Sequence, residues 1–299
     1  MGKQKRSVNT YQKIDTIFKR DINNIIMPFD GFVSPELEYL RGCKFDAEEK
    51  IDGTNTRIEV VRKIEYDVDL NGNVDAEINY DRPIFMEWTV SYKGKTDNAT
   101  LPPKLMAHLQ ENYPEDKVLA ALGLKKKTCL LTKDNSDVEY LTEKGWMHDD
   151  SGVIVLDLDK IPSIYTIYGE GYGVKIQGCG GSYLTNSNSF IGFDVKVNDV
   201  YLLKDNRDDV LTKLGCPIVP FIGQFTIDEA IEFVRKGFTS RISEDKNFLA
   251  EGLVLRTPLG LKNRRGERII FKVKTCDFVK YRAKYGTDDK VEQTPNPHI

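Results

Sequence analysis

One lysine, Lys50, lies in a sequence context that could present its amine for chemistry. The segment Glu49-Lys-Ile-Asp-Gly-Thr-Asn55 separates a predicted strand over residues 44–48 from another over 56–63. Because an Asp-Gly pair is typical of turns, the lysine would sit where a strand ends. By itself the short Lys-x-Asp-Gly pattern favours a solvated lysine on a surface hairpin. Its role therefore depends on which other charged residues accompany it.

Two pairs of charged residues are candidates for lying near Lys50 in the folded protein. Lys272 and Lys274 alternate along a predicted strand over 268–274, so their side chains point to the same face. Glu170 and Glu251 lie between glycines and apolar strand residues, which is unusual for surface carboxylates. Alone, the Lys-Val-Lys run would be typical of an exposed strand face. The order of these segments along the chain decides between the interpretations.

Five segments follow one another in an order that resembles a known set of motifs. They are residues 49–55, 168–173, 190–194, 251–256 and 271–275, which look like nucleotidyltransferase motifs I, III, IIIa, IV and V of the ATP-dependent polynucleotide ligases and mRNA-capping enzymes. Within that superfamily the chain most resembles RNA ligases of the phage double-strand-sealing type. Motif I, the run Gly94-Lys-Thr-Asp-Asn-Ala-Thr-Leu-Pro102 and the run Tyr168-Gly-Glu-Gly-Tyr-Gly-Val-Lys-Ile-Gln177 carry this closer resemblance, which covers about residues 44–280.

The resemblance implies an ATP-dependent RNA ligase that joins 5′-phosphate and 3′-hydroxyl ends through a covalent lysyl-AMP and an adenylylated 5′-end. ATP and Mg²⁺ (or Mn²⁺) would be its cofactors and RNA its partner, in a nicked duplex or an RNA/DNA hybrid. An RNA-repair setting in the cytoplasm of a bacterium or a phage-infected host would fit, with or without a helper protein. One alternative is a DNA or general polynucleotide ligase with the same mechanism. Another is a nucleic-acid-binding protein with a vestigial pocket.

The resemblance also assigns roles to residues. Lys50 would be the attacking amine, and bringing its pKa from about 10.4 to about 7.4 would take roughly 4 kcal/mol of environmental bias. Lys272 and Lys274 would supply part of that bias as like charges and would hold the ATP α-phosphate. Glu170 would bind the AMP ribose and help to hold the metal, and Glu251 would hold the metal. The remaining predicted ATP contacts are Glu49, Ile51, Asn55 and Phe193, with Phe193 stacking on adenine and Phe190 as the alternative.

The contacts to nucleic acid are predicted from local charge. Where the family's motif Ia usually has an arginine, this chain has Lys93 and Lys95, and Lys95 is assigned there. Residues 256–290 are basic with interleaved tyrosines, which is typical of a face that follows phosphates, although a solvated basic helix would look the same. The residues expected to contact phosphate or nucleic acid are Arg57, Lys95, Arg256, Arg264 and Arg265.

Composition excludes several classes of protein. The 299 residues carry 43 basic and 46 acidic side chains, so any nucleic acid must be bound by a local patch. No apolar run approaches the ~20 residues of a membrane-spanning helix, and the N-terminus lacks the apolar stretch of a signal peptide. The five cysteines show no CxxC spacing and the histidines number only three, so we expect reduced thiols and no zinc site.

The elements that must position these residues are predicted from periodicity. Isoleucines at helical spacing predict a helix over 8–27, and Thr226 with Glu229 forms a capping-box pattern at the start of another. The other predicted helices cover 35–40, 104–112 and 115–122; the other predicted strands cover 152–158, 164–168, 190–197 and 253–256; and an acidic hairpin insertion is predicted over 67–81.

Together these elements predict an α+β protein. The resemblance specifies a nucleotidyltransferase (ATP-grasp-like ligase) fold of antiparallel sheets flanked by helices. Residues 1–43 would form an N-terminal helical extension, 44–280 the adenylylation domain, and 281–299 a basic C-terminal tail. A full C-terminal OB-fold, present in related DNA ligases and capping enzymes, would not fit in the residues that follow the last motif.

Overall fold

The structure is a computed structural model that describes residues 9–66, 83–130, 135–150 and 153–285. The strands are β1 (Asp15–Thr16), β2 (Phe45–Lys50), β3 (Thr54–Tyr66), β4 (Pro83–Gly94), β5 (Lys127–Cys129), β6 (Met147–Asp150), β7 (Val153–Leu156), β8 (Ile164–Gly173), β9 (Asn188–Val197), β10 (Val200–Tyr201), β11 (Phe221–Phe225), β12 (Gly252–Arg256) and β13 (Ile270–Lys274). The helices are α1 (Pro35–Tyr39), α2 (Pro103–Asn112), α3 (Glu115–Ala121), α4 (Asn135–Glu143), α5 (Gly180–Tyr183), α6 (Lys204–Leu214), α7 (Ile227–Lys236) and α8 (Thr275–Tyr285).

Two main sheets carry the fold in the described part of the chain. One has the strand order β1-β13-β12-β2-β11, and the other has the order β10-β9-β8-β3-β4-β5. Neighbouring strands are antiparallel except β1, which pairs in parallel with β13. The predicted fold class, α+β with antiparallel sheets flanked by helices, is therefore confirmed, with one parallel edge pair added.

Each sheet has its own apolar core on its helix-covered face. Helices α2 and α6 pack on β9 around residues such as Leu105, Phe190 and Leu211. Helices α7 and α8 pack on β13 around residues such as Val234, Val273 and Phe278. A third, smaller cluster (Ile51, Tyr172, Tyr183, Ile191 and Val219) lies where the chain leaves β2 beside β8 and β9. Asp194 of β9 pairs with Arg256 of β12, so the two sheets face each other there, and a cleft lies between them.

Several predicted elements are confirmed with shifted ends. The capping box of α7 is present: the Thr226 hydroxyl accepts a hydrogen bond from the Glu229 backbone, and the Glu229 carboxylate accepts one from the Thr226 backbone. This satisfies two of the backbone donors that a helix start leaves open. Lys50 is the last residue of β2 and lies at a strand end as expected, although β2 continues two residues beyond the predicted strand.

The predicted helix over 8–27 is wrong for its described residues. Asp15 and Thr16 form β1, and Asn24 adopts a positive φ of 60° in a turn where the Asp21 carboxylate accepts backbone hydrogen bonds. Ile17 is buried against the sheet, whereas Ile22 is fully exposed. The apolar spacing indicated a helix, but sheet pairing and burial against β13 override a weak local preference.

The predicted insertion and the predicted domain boundaries are not tested by the structure. The acidic hairpin insertion over 67–81 lies outside the described residues. Helix α8 crosses residue 280, and the divisions at 43 and 280 stay predictions. None of the helices in the described ranges is both long enough and apolar enough to cross a membrane.

Candidate active site

The ends of three neighbouring strands bring the predicted lysines and Glu251 together. In the register of the sheet, Gly252 of β12 is opposite Lys50 on one side and Lys274 on the other. Glu251 directly precedes Gly252, and Lys272 is opposite Val254. Backbone pairing therefore brings Lys50 next to Glu251, which is 201 positions away in the chain, because strand register determines which side chains are adjacent.

Glu251 bridges two of these lysines. Its Oε2 lies 2.5 Å from Lys50 Nζ, and its Oε1 lies 2.7 Å from Lys274 Nζ. Burial lowers the pKa of Lys274, but the hydrogen bond and charge of Glu251 outweigh it, so the net pKa is raised. The pKa of Lys272 is lowered, first by burial and then by the charges of Lys50 and Lys274. The site thus concentrates positive charge around one carboxylate, an arrangement suited to binding phosphate.

The six-stranded sheet supplies the opposite wall. Asn55 of β3 pairs in register with Glu170 of β8. Burial raises the pKa of Glu170 to about 8; the charge of Lys50 opposes this, and the charges of Glu251 and Asp52 add to it. Burial and the charge of Glu251 likewise raise the pKa of Asp52. These carboxylates therefore repel one another in the free protein.

The repulsion among these carboxylates bears on whether the site could bind a divalent cation. A cation between Asp52, Glu170 and Glu251 would offset their mutual repulsion. Within the described ranges no three acidic, histidine or cysteine side chains are arranged to hold a metal by themselves. Mg²⁺ or Mn²⁺ would therefore be held by one or two of these carboxylates, with waters and substrate phosphates completing its coordination, which is how Mg²⁺ is usually bound.

A cavity of about 100 Å³ lies between the two walls. Asn55, Phe193 and Val254 line it together with Lys50 and Glu170. Asn55 Oδ1 is buried and accepts no hydrogen bond from the described residues, so a ligand donor could pair with it. Phe193 and Val254 provide apolar surface, whereas Lys50 and Glu170 provide charge. The cavity therefore has the mixed character of a site for a nucleotide.

Two other predicted ATP contacts, Glu49 and Ile51, also line the cavity, but each is engaged with other parts of the protein. The Glu49 carboxylate accepts hydrogen bonds from Ser240 Oγ at 2.5 Å and Arg241 N at 2.9 Å, so it is already paired within the protein. Ile51 is buried in the small third cluster, beside β8 and β9. Phe190, the alternative stacking residue, is fully buried in the core on the far face of its sheet.

Two of the predicted nucleic-acid contacts form ion pairs within the protein. Arg57 is fully buried and forms ion pairs with Glu59 (2.8 Å) and with Asp97, so it is not presented to a nucleic acid. Arg256 pairs with Glu48 at 3.0 Å and Asp194 at 2.8 Å between the two sheets. Strand position alone did not reveal that these arginines point inward, because a charged residue on a strand is usually exposed.

The remaining predicted contacts are at the surface. Lys95 is exposed, and its charge lowers the pKa of Glu170, which places it near the cavity. Lys93 forms an ion pair with Glu59 at 2.7 Å. Arg264 and Arg265 are exposed in the loop before β13, and Arg265 forms an ion pair with Glu267.

Sequence reasoning missed several residues at the site. Asp52 and Val254 lie inside motifs that were already recognised, and their spacing from Lys50 and Glu251 was the available signal. Tyr11 and Ile14 also line the cavity. No signal pointed to them, since their segment was interpreted as a helix.

Comparison with solved structures finds RNA ligases of Naegleria gruberi. A mutant with ATP and Mn matches at 15% identity and a TM-score of 0.46, covering 94% of this chain and 64% of that one. Another mutant with ATP and Mn matches at 16% identity and a TM-score of 0.49, covering 93% and 59%. The same ligase with PPi matches at 16% identity and a TM-score of 0.46, covering 95% and 64%. The chain thus spans less than two thirds of the length of these proteins.

Comparison with families and curated proteins gives one match. No curated protein matches the sequence significantly. The sequence model of the RNA ligase family matches residues 44–274, which include Lys50, Glu170, Glu251 and both lysines of β13. The chain belongs to the RNA ligase family.

Proposed function

We propose that this protein is an ATP-dependent RNA ligase that joins 5′-phosphate and 3′-hydroxyl ends, of the type that seals breaks in duplexes. The observation that carries the proposal is the contact of Lys50 and Lys274 with one carboxylate, Glu251, where Lys50 also lines a cavity together with Glu170. Membership of the RNA ligase family supports the reaction class. The Naegleria ligase structures with ATP and Mn support ATP and a divalent metal as cofactors.

In the first step Lys50 Nζ would attack the α-phosphorus of ATP. A P–N bond forms, the bond to the β-phosphate oxygen breaks, and pyrophosphate leaves with its electron pair. Glu251 Oε2, at 2.5 Å, is positioned to accept the proton that Nζ must lose. Lys272 and Lys274 would stabilise the negative charge that develops on the phosphate oxygens.

The two later steps would use the same cavity. The RNA 5′-phosphate attacks the lysyl-AMP phosphorus, which transfers AMP to the RNA end and frees Lys50. The 3′-hydroxyl then attacks the RNA 5′-phosphorus, and AMP leaves as a phosphodiester forms. Glu251 and Glu170 would hold a divalent cation together with waters, and this cation would neutralise phosphate charge. Asn55 Oδ1 would accept a hydrogen bond from the nucleotide, and Phe193 would stack on adenine.

The first prediction concerns covalent labelling. Protein incubated with α-labelled ATP and Mg²⁺ should retain label after denaturation, and Lys50→Ala should reduce the label at least about a thousandfold because it removes the nucleophile. Lys63→Ala, which changes an exposed lysine on the next strand of the chain, should label like the wild type. Unlabelled wild-type protein would leave only a binding role, and labelling by GTP would indicate a capping enzyme.

Sealing assays then identify the substrate. Nicked duplexes with RNA or DNA on each side of the nick should be sealed when the 3′-hydroxyl strand is RNA. Equal sealing of all-DNA nicks would instead identify a general polynucleotide ligase with the same mechanism.

A further inference from the structure

A segment at the N-terminus runs along the edge of β13 in constant register. We call residues 11–18 the N-terminal strap. Asp15 and Thr16 pair with Phe271 and Lys272. The Gln12 amide donates to the Arg268 carbonyl at 2.9 Å and accepts from the Arg268 backbone at 3.3 Å, at the same separation of 256 positions. The strap therefore follows the strand that bears the two lysines.

Both ends of the strap are anchored. At its start the Tyr11 hydroxyl donates to Asp194 Oδ2 at 2.7 Å. The Tyr11 hydroxyl oxygen accepts hydrogen bonds from Arg256 at 3.2 Å and from Arg268 at 3.1 Å. At its end Ile17 and Phe18 are 1% and 6% exposed in the core of the five-stranded sheet. The residues between these anchors are thereby held across one side of the cleft.

The middle of the strap faces the cavity that Lys50 lines. Thr16 is opposite Lys272, and Ile14 lies two residues earlier, on the same face of an extended chain. Ile14 and Tyr11 both line the cavity, and the Tyr11 ring lies edge-on to Phe193 with centroids 5.0 Å apart. Lys50 provides positive charge in the cavity, and Ile14, Val254 and Phe193 provide apolar surface on which the flat face of a nucleobase would pack.

We propose that the N-terminal strap completes the ATP site, with Ile14 contacting the nucleobase and Tyr11 positioning Phe193 and Arg256. This inference rests on the proposed function and deepens it. The strap precedes residue 44, where the match to the RNA ligase family begins, so the family match does not include it. The nucleotide pocket is therefore built partly from a segment that precedes the nucleophile by more than thirty residues.

The test compares two isoleucines of the same N-terminal region. Ile14→Ala should raise the KM for ATP in self-adenylylation about tenfold, since a pocket that loses methylene contacts binds less tightly, while kcat stays within about twofold. Ile14→Val should restore most of the loss. Ile22→Ala, at a fully exposed position, should leave both constants unchanged. An unchanged KM in Ile14→Ala, or an equal rise in Ile22→Ala, would overturn the proposal.

Tyr11 gives a separate readout of positioning. Tyr11→Phe keeps the ring against Phe193 but removes the hydrogen bond to Asp194, so it should raise the KM for ATP less than Tyr11→Ala does. A purely structural role would lower the melting temperature of both variants and leave the KM of the folded fraction unchanged, which would refute the assignment. If the wild type forms no adduct, the proposed function fails, and equilibrium binding of ATP to the same variants still decides the role of the strap.

Discussion

At the residue scale, the site is organised by repulsion as much as by attraction. Burial and then the charge of Glu251 raise the pKa of Glu170 and of Asp52, and burial and then the charges of Lys50 and Lys274 lower the pKa of Lys272. Such opposing shifts are typical of functional sites, where groups are gathered for a ligand rather than for stability. The free protein therefore stores unfavourable electrostatics that ATP and a divalent cation would relieve.

The raised pKa of Glu170 should make the stability of the free protein depend on pH, which can be measured. Its pKa is raised to about 8 in the folded protein from 4.5, so the folded state binds more protons between these values and stability falls as pH rises through that window. Glu170→Gln removes the titration. In EDTA and without nucleotide, the variant should gain stability over the wild type between pH 5 and 9, by a few kcal/mol at most, as measured by urea unfolding. Glu111→Gln, at an exposed position on α2, should track the wild type. Parallel curves for Glu170→Gln and the wild type would contradict the shift.

At the element scale, one glycine lets three strands bring their charged ends together. Gly252 begins β12 with a positive φ of 150°, a conformation that side chains rarely adopt. A Cβ there would overlap the carbonyl oxygen of Val273 on β13. The glycine thus allows the close pairing that places Glu251 between Lys50 and Lys274.

Gly252→Ala should therefore damage both stability and site. We expect the free energy of unfolding to fall by roughly 3 kcal/mol or more, from backbone strain together with overpacking. Covalent labelling by ATP should fall in the fraction that still folds, because Glu251 is displaced. Gly178→Ala, where an added Cβ would meet nothing within 4 Å, should change stability by less than about 0.5 kcal/mol. Similar chemical denaturation midpoints for the two variants would disprove the role of Gly252.

At the scale of the whole molecule, buried ion pairs connect the two sheets. Asp194 of β9 pairs with Arg256 of β12 at 2.8 Å and with Arg268 at 2.7 Å, and it is 2% exposed. Burial raises the pKa of Asp194, but the two arginines and the hydrogen bonds more than offset this, so the net pKa is lowered. On the other side, Arg207 of α6 pairs with Glu48 of β2 at 2.7 Å. These contacts determine how the two sheets face each other across the cleft.

Asp194→Asn should destabilise the protein by about 3–5 kcal/mol, because it leaves buried arginine charge without its partner. Asp209→Asn breaks the exposed pair with Lys213 and should cost less than about 1 kcal/mol. Urea unfolding measures both free energies. Raising the salt concentration should weaken the exposed pair and leave the cost of Asp194→Asn nearly unchanged. Comparable costs for the two substitutions would show that the buried network does not hold the sheets.

The sequence alone was sufficient for the family, the residues of the charged cluster and the fold class. The order of five motifs along the chain identified the family and the cluster, because the patterns around Lys50 and Lys272 would each be typical of a surface when taken alone. The tertiary structure decided what depends on partners distant in the chain. In the structure, Arg57 and Arg256 form ion pairs within the protein, where the sequence predicted contacts to nucleic acid. The N-terminal strap runs along β13, where the sequence predicted a helix. Burial and strand pairing are set by segments elsewhere in the chain, from 40 positions away for Arg57 and Asp97 to 256 positions away for Gln12 and Arg268, which local periodicity does not report.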